Sequence, residues 1–356
     1  MLWFVGTGID GYRGLSIAAL DVLRKCEIVY IERFTSALSE ADIQGINSLL
    51  GLQTKLVQRW FVEDGKDIIE AARTKDVALV TYGDPLIATT HSELRSRAAR
   101  NSVKTAILHS ASGISSTIGE SGLHAYKFGR MVTMMSELHS SVTVYNTLFQ
   151  NLLVGNHTLI LTEYKYNDES KKPFFLDPPS VFGMLLDAER TQKHHIFSED
   201  TFAVVASRVG MQDQKITSGK VKSLMKVQFG IGPHSVIVTG ALHFTETQAL
   251  ASLTHTLDEP TDNSQSASRI EAQMVEQYSP KAKQAVQEIR KIILDGTKSN
   301  KGVSETLENA ECYIADAEVF LRQGKFELAV LSIGYAEGLI DALRYQWGIN
   351  PWSTPA

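Results

Sequence analysis

The segment Val80-Thr-Tyr-Gly83-Asp84-Pro85-Leu-Ile87-Ala-Thr-Thr90-His91 carries the residue types best suited to holding a small ligand. A Gly-Asp-Pro turn offers backbone amides and one carboxylate. At the C-terminal end of a parallel strand it stands where open α/β sheets bind small molecules. The apolar run before it, 77–82, reads as such a buried strand. Thr90 and Glu93 have capping-box spacing, which predicts a helix start directly after the turn.

A second glycine loop, Gly6-Thr-Gly8-Ile-Asp-Gly11, follows the apolar N-terminal run and matches the dinucleotide fingerprint, with Glu32 near the position of a ribose-binding acid. Against a nicotinamide site, Ser16 reads as the N-cap of the next helix, too late in the chain for its N-terminus to hold a pyrophosphate. Among the histidines, His194 and His195 read as solvated surface, and His109 as a strand-end residue satisfying a local hydrogen bond. His234, in Gly232-Pro233-His234-Ser235, reads either as a turn histidine or as a group facing a ligand. Arg95, Arg97, Arg100 and Lys104 read as a solvated helix face, with attraction of an acidic partner or RNA as the functional alternative.

The elements that position these residues alternate. Strands are predicted at 2–5, 27–31, 77–82, 103–108, 158–161, 202–207 and 236–239, with helical stretches such as 16–25 and 92–100 between them. This implies a mostly parallel sheet flanked by helices. A seam is expected within 134–141. Four segments follow: a first α/β lobe at 1–135, a second at 136–250, a polar linker at 251–274 and a small all-α bundle at 275–352. In the bundle Val286, Ile289 and Ile293 share a face, and Gly296 is expected to end that run. Leu307, Ala310, Ile314, Ala317 and Leu321 form a second stripe closed by Gly324, and Ala329, Ile333, Ala336, Ile340 and Leu343 form a third.

Net charge is −5 and no block of five like charges occurs, so a nucleic-acid partner is not expected. Two distant cysteines exclude a disulfide framework and argue against a cysteine-built zinc site; no metal is expected, and a reducing cytoplasm is. No apolar run is long enough to cross a bilayer, so no membrane partner is expected.

Five blocks in order carry a family resemblance: Gly83-Asp-Pro-Leu-Ile-Ala-Thr-Thr-His91, Gly122-Leu-His-Ala-Tyr-Lys-Phe-Gly129, Gly155-Asn-His-Thr-Leu159, Arg208-Val-Gly-Met-Gln-Asp-Gln-Lys-Ile216 and Pro233-His-Ser-Val-Ile-Val-Thr-Gly240. Over residues 1 to about 245 the chain resembles the archaeal diphthine synthases, tetrapyrrole-methylase-like methyltransferases that use S-adenosylmethionine. The resemblance implies a two-lobed α/β fold with parallel and mixed sheets and the donor in the cleft between lobes. It assigns donor contacts to Ile9, Asp84, Ile87, Gly113, Ile114, Thr162, Val209 and His234. It implies repeated N-methylation of the α-amino group on a modified histidine of elongation factor 2, in diphthamide synthesis, by a homodimer. No catalytic residue follows from it. Tyr126, Lys127 and Arg130 are candidates for contact with the protein substrate, with lobe packing as the alternative.

Several positions depart from the family pattern. Thr7 replaces a usual leucine, the turn Ser110-Ala-Ser-Gly113-Ile114 is one residue longer with glycine in place of serine, and Thr162-Glu163 stands for Leu-Asp. Residues 275–352 resemble a small archaeal helical domain of unknown function, through Ala315-Asp-Ala-Glu318, Gly324-Lys-Phe-Glu327 and Ala336-Glu-Gly-Leu-Ile-Asp-Ala342. The competing functions are a methyltransferase acting on a small corrin-type molecule, a nicotinamide-dependent oxidoreductase, and a non-catalytic module that binds the elongation factor.

Overall fold

The computed structural model describes residues 1–167, 172–264, 267, 269–294 and 301–352. It divides into two compact units, Met1–Ala267 and Ser268–Ala356. The first unit opens with five strands, β1 (Leu2–Gly6), β2 (Ile28–Glu32), β3 (Lys55–Val57), β4 (Val77–Thr81) and β5 (Thr105–Leu108). They form one all-parallel sheet in the order β3-β2-β4-β1-β5. Helices α1 (Ile17–Leu23), α2 (Glu40–Leu50), α3 (Arg59–Asp64), α4 (Lys66–Thr74) and α5 (His91–Arg100) cover it. Alternation along the strands sends Leu2, Phe4, Tyr30, Val77 and Leu79 to the core shared with α3, α4 and α5. It sends Val5, Val29, Ile31, Ala78 and Val80 to the core shared with α1 and α2. Burial on both faces is why the central strands read as nearly unbroken apolar runs.

Helix α6 (Gly113–Ser121) leads to a second sheet, built from β6 (Val132–Met134), β7 (Thr158–Thr162), β10 (Phe202–Ser207), β11 (Lys215–Lys220), β12 (His234–Val238) and β13 (His255–Thr256). Its order is β13-β11-β10-β12-β7-β6, with the four central strands antiparallel and both edge pairs parallel. The expected parallel character therefore holds for the first sheet, and the second is mixed. Between β7 and β10 lies an antiparallel hairpin, β8 (Tyr164–Asn167) and β9 (Lys172–Phe175). Helices α7 (Leu138–Leu152), α8 (Pro178–Gln192) and α9 (Val221–Leu224) pack one face of the second sheet; α6 and α10 (Phe244–Leu253) pack the other. Of the stretch expected as a linker, residues 265, 266 and 268 lie outside the described residues. Its earlier part is built into the first unit, where the Asn263 amide bonds Phe202 O and Thr239 O, each at 2.8 Å.

The second unit is three helices, α11 (Ile270–Leu294), α12 (Lys301–Arg322) and α13 (Phe326–Trp347). The three predicted stripes meet in one core: Val286 and Ile289 with Leu307, Ala310, Ile314 and Ala317, and with Ala329, Ile333, Ala336, Ile340 and Leu343. Gly324 takes φ +71, the left-handed conformation a helix-terminating glycine supplies. Gly296 lies outside the described residues.

One buried carboxylate ties the loops around the second sheet together. Glu246, at the start of α10, is fully buried and accepts four donors: the His124 and His243 amides at 2.8 Å, His157 Nε2 at 3.0 Å and the Lys127 ammonium. The Gly240 amide donates to His157 Nδ1, so the ring is neutral with its proton on Nε2. Burial holds the His157 pKa below the usual imidazole value. Burial alone would raise the Glu246 pKa, but Lys127 and the surrounding donors outweigh it and hold the carboxyl at about 2. The carboxylate's contribution to stability is therefore complete above the ordinary carboxylate range and is lost as pH falls from 4.5 through about 2. Glu246→Gln is expected to cost on the order of 3 kcal/mol at neutral pH. In thermal melts across pH, the gap between this variant and the parent should close over that acid window.

Candidate functional site

The two glycine loops meet at the C-terminal edge of the parallel sheet. Gly8 and Gly83 form an isolated antiparallel bridge, with Gly83 N donating to Gly8 O at 2.9 Å and Gly8 N to Gly83 O at 3.2 Å. Gly83 sits at φ +73, and a Cβ on Gly6 would lie 2.4 Å from Gly83 O, so both positions require glycine. Asp84 is 6% exposed and ties this turn to the end of β5. Its Oδ1 accepts from Leu86 N at 3.0 Å; its Oδ2 accepts from Ser110 N at 3.3 Å and stands 2.8 Å from His109 Nδ1. His109 thus satisfies a partner far from it in sequence.

His234 opens β12 after the cis Gly232-Pro233 bond and is 4% exposed. Its Nε2 lies 3.3 Å from the Gly230 carbonyl, an obligate acceptor, so Nε2 carries the proton and Nδ1 accepts from Ser207 Oγ at 3.0 Å. Burial lowers its pKa, keeping the ring neutral. Thr162 Oγ1 donates to His234 O at 2.9 Å, joining the ends of β7 and β12. Gly113 starts α6, where Ser112 Oγ accepts from Ile114 N at 3.3 Å.

These loops enclose a cavity of about 330 Å³, within the size range of small-molecule sites. All eight residues singled out from sequence line it: Ile9, Asp84, Ile87, Gly113, Ile114, Thr162, Val209 and His234. They come from both sheets. Ile87 is a large apolar side chain left 47% exposed on the wall, and Ile9, Ile114 and Val209 add further apolar surface. An apolar wall with a few fixed polar groups suits a nucleoside. Phe34, Arg59, Tyr82, Met135, Glu163 and Tyr164 also line the cavity and were not singled out for it. The recognisable signal for Glu163 and Tyr164 was position: they follow the predicted strand at 158–161.

Other expectations are corrected. Thr90 precedes α5 but makes no side-chain cap bond: its backbone, at φ −91 and ψ 2, is not in the extended conformation that aims a cap side chain at the helix amides, and Glu93 pairs with Arg97 at 3.7 Å and Arg100 at 3.1 Å. His194 is not simply solvated: its ring stacks on Tyr145 and Phe149, with centroids 5.9 and 4.7 Å away. Lys127 is committed to Glu246 and the Ala241 carbonyl, and Tyr126, Lys127 and Arg130 are not among the cavity-lining residues. Glu32 is fully buried and accepts from Phe34 N at 2.9 Å, Thr35 N at 3.0 Å, Ser36 Oγ at 2.5 Å and the Thr35 hydroxyl, so it has no capacity left for a ribose. Helix α1 starts at Ile17 with Ser16 as its cap, well past the first glycine loop. A nicotinamide site is thereby excluded at this fingerprint. Among the described residues no three His, Cys, Asp or Glu side chains are grouped to hold a metal ion, and no helix is long and apolar enough to cross a membrane.

Residues 1–225 match the family model of tetrapyrrole (corrin/porphyrin) methylases, and residues 277–347 match a family described as a protein of unknown function, DUF357. The chain belongs to the tetrapyrrole methylases. It is 34% identical over 253 residues to a diphthine synthase of Methanocaldococcus jannaschii, covering 70% of this chain and 97% of that one. It is 31% identical over 254 residues to a diphthine methyl ester synthase of Saccharomyces cerevisiae, covering 67% and 84%. A solved diphthine synthase superimposes with TM-score 0.62 at 28% identity, over 72% of this chain and 96% of that one. Within the family the chain groups with the diphthine synthases, and it is an S-adenosylmethionine-dependent methyltransferase of diphthamide biosynthesis.

Asp84→Ala removes the acceptor that joins the Gly-Asp-Pro turn to the end of β5. It is expected to weaken binding of S-adenosylhomocysteine roughly tenfold, about 1.4 kcal/mol, by isothermal titration.

Proposed function

We propose that this chain transfers methyl groups from S-adenosylmethionine to the α-amino group of the modified histidine of elongation factor 2, acting as a cytoplasmic homodimer. The donor lies between a first lobe, 1–135, and a second, 136–250. The observation that carries the reading is the convergence of the eight residues on one cavity of about 330 Å³. The donor supplies an activated methyl carbon with a good leaving group. The protein's task is to hold donor and acceptor in near-attack geometry, which can supply roughly 7–11 kcal/mol. An α-amino group has a pKa near 8, so about a tenth is neutral at pH 7, and selecting that form costs about 1.4 kcal/mol. A dedicated general base is therefore unnecessary, and the neutral, doubly bonded His234 serves as wall rather than proton carrier.

A second reading adds a step: relatives in Dictyostelium and yeast carry the name diphthine methyl ester synthase, at 30% and 31% identity. An ester methyl is released by mild alkali, whereas N-methyl groups are not.

Intact-mass analysis of elongation factor 2 after incubation with enzyme and donor is expected to show the factor gaining mass in methyl steps on that histidine, with the alkali-labile fraction measuring ester. Binding without mass gain would favour a non-catalytic module, and transfer only to a corrin-type molecule would favour the small-molecule reading. His234→Ala is expected to weaken S-adenosylhomocysteine binding about tenfold by titration; unchanged affinity would remove His234 from the donor site.

A further inference from the structure

The cavity has two carboxylates in its wall, Asp84 and Glu163. Asp84 is occupied by its loop. Glu163 follows β7 and is 2% exposed. Its Oε2 accepts from Ser136 N at 3.0 Å and Ser136 Oγ at 2.6 Å. Its Oε1 is buried and pairs with Lys165 Nζ at 2.7 Å. Lys165 is half exposed and is not among the cavity-lining residues. Burial alone would raise the Glu163 pKa, but Lys165 and Ser136 outweigh it and hold it below the usual carboxylate range, so the group is ionised at neutral pH. Tyr164, next in the chain, lines the same cavity, and an aromatic ring near a carboxylate suits a cationic nitrogen; Phe34 also lines it, with the Arg59 guanidinium 5.2 Å over its ring.

We propose that the Glu163 carboxylate, in a cavity also lined by Tyr164, receives the acceptor nitrogen and stabilises the ammonium that forms on it. The inference rests on the proposed amine methylation. In that step the amine lone pair forms the N–C bond and the S–C electron pair stays on sulfur. Positive charge passes from sulfur to nitrogen, and the amine proton leaves to solvent. A fixed negative charge beside nitrogen lowers the energy of the transition state more than that of the neutral amine. Lys165 meets this carboxylate from the exposed side, and the arriving nitrogen meets it from the cavity side. It also makes the cavity selective for acceptors that become cationic.

The test compares Glu163→Gln, Glu163→Asp and Lys165→Met with the parent, using single-turnover methylation of elongation factor 2 at saturating donor, with titration of S-adenosylhomocysteine. Glu163→Gln is expected to slow methylation roughly a hundredfold with product-nucleoside affinity unchanged. Glu163→Asp, the residue the family resemblance places here, should restore most of the rate. Lys165→Met, which keeps the carboxylate and removes only its exposed counter-ion, should stay within about threefold of the parent. Glu163→Gln turning over like the parent overturns the inference. So does Lys165→Met failing as Glu163→Gln does, or affinity for the nucleoside falling in step with rate; either would make the ion pair structural. Should the Gln variant not fold, the Asp and Met variants decide by the same criteria. A parent enzyme that adds no mass to the factor overturns the proposed function itself, a result distinct from an active parent with an equally active Glu163→Gln.

Discussion

The cavity depends on two parallel strands ending level with each other and on their loops being hydrogen-bonded back to back. The mutual bonds of Gly8 and Gly83 fix the turn after β1 against the turn after β4. They form only because no Cβ stands at Gly6 or Gly83: one would strike a carbonyl, and the other would be forced into a left-handed backbone. Asp84 then ties the second turn to the end of β5, so three strand ends are set by one bridge and one carboxylate. The tie between Thr162 and His234 does the corresponding work on the second sheet, joining the ends of β7 and β12. The loops that carry the wall are therefore held largely by backbone hydrogen bonds, and a site framed this way has little loop reorganisation left to do on binding.

The buried carboxylates of the first unit differ in how their oxygens are used. Glu32 is closed by its own turn, Glu246 by four donors and Asp84 by two strand-end loops. An acid whose oxygens are saturated with directed hydrogen bonds is held in place, which suits architecture and not proton transfer. His157 and His234 follow the same logic: each ring nitrogen has a partner, and burial keeps each ring neutral. Methyl transfer to an amine tolerates this economy because orientation and desolvation supply most of what the reaction needs.

How much was legible in the sequence follows from which signals were local. Strand-end loops carry glycine, proline and aspartate at fixed spacing, so the Asp84 turn could be picked out from residue types; His234 stayed open on its turn alone, and it and Gly113 were assigned through the family resemblance. The bundle core was legible because its stripes keep helical period through α12 and α13. Strand β11, Lys-Ile-Thr-Ser-Gly-Lys, carries no apolar run; its burial comes from pairing with β10, a partner that only the fold supplies. His194 looked solvated because its stacking partners, Tyr145 and Phe149, belong to α7. The Thr90 capping box failed for a local backbone reason: the turn leaves Thr90 at ψ 2 rather than extended, a conformation that residue types do not reveal. Glu163 stood out only as a departure from the family pattern, and its meaning depends on Ser136, contributed by a separate segment.

The departures from the family pattern are absorbed by the same backbone frame. Thr7, where leucine is usual, is fully buried; its amide bonds Thr81 O at 2.9 Å and its hydroxyl bonds Gly8 O at 3.1 Å, so the added polar group is satisfied within the loop it belongs to. Thr162 in place of leucine turns an apolar contact into the tie to the His234 carbonyl. Gly113 begins a helix whose cap, Ser112, is intact, and a Cβ there would meet no atom within 4 Å, so loss of the serine leaves the turn unstrained. In each case the side chain changes while the amides and carbonyls that shape the cavity keep their partners. A site whose loops are framed by backbone bonds can drift at single wall positions without losing that frame.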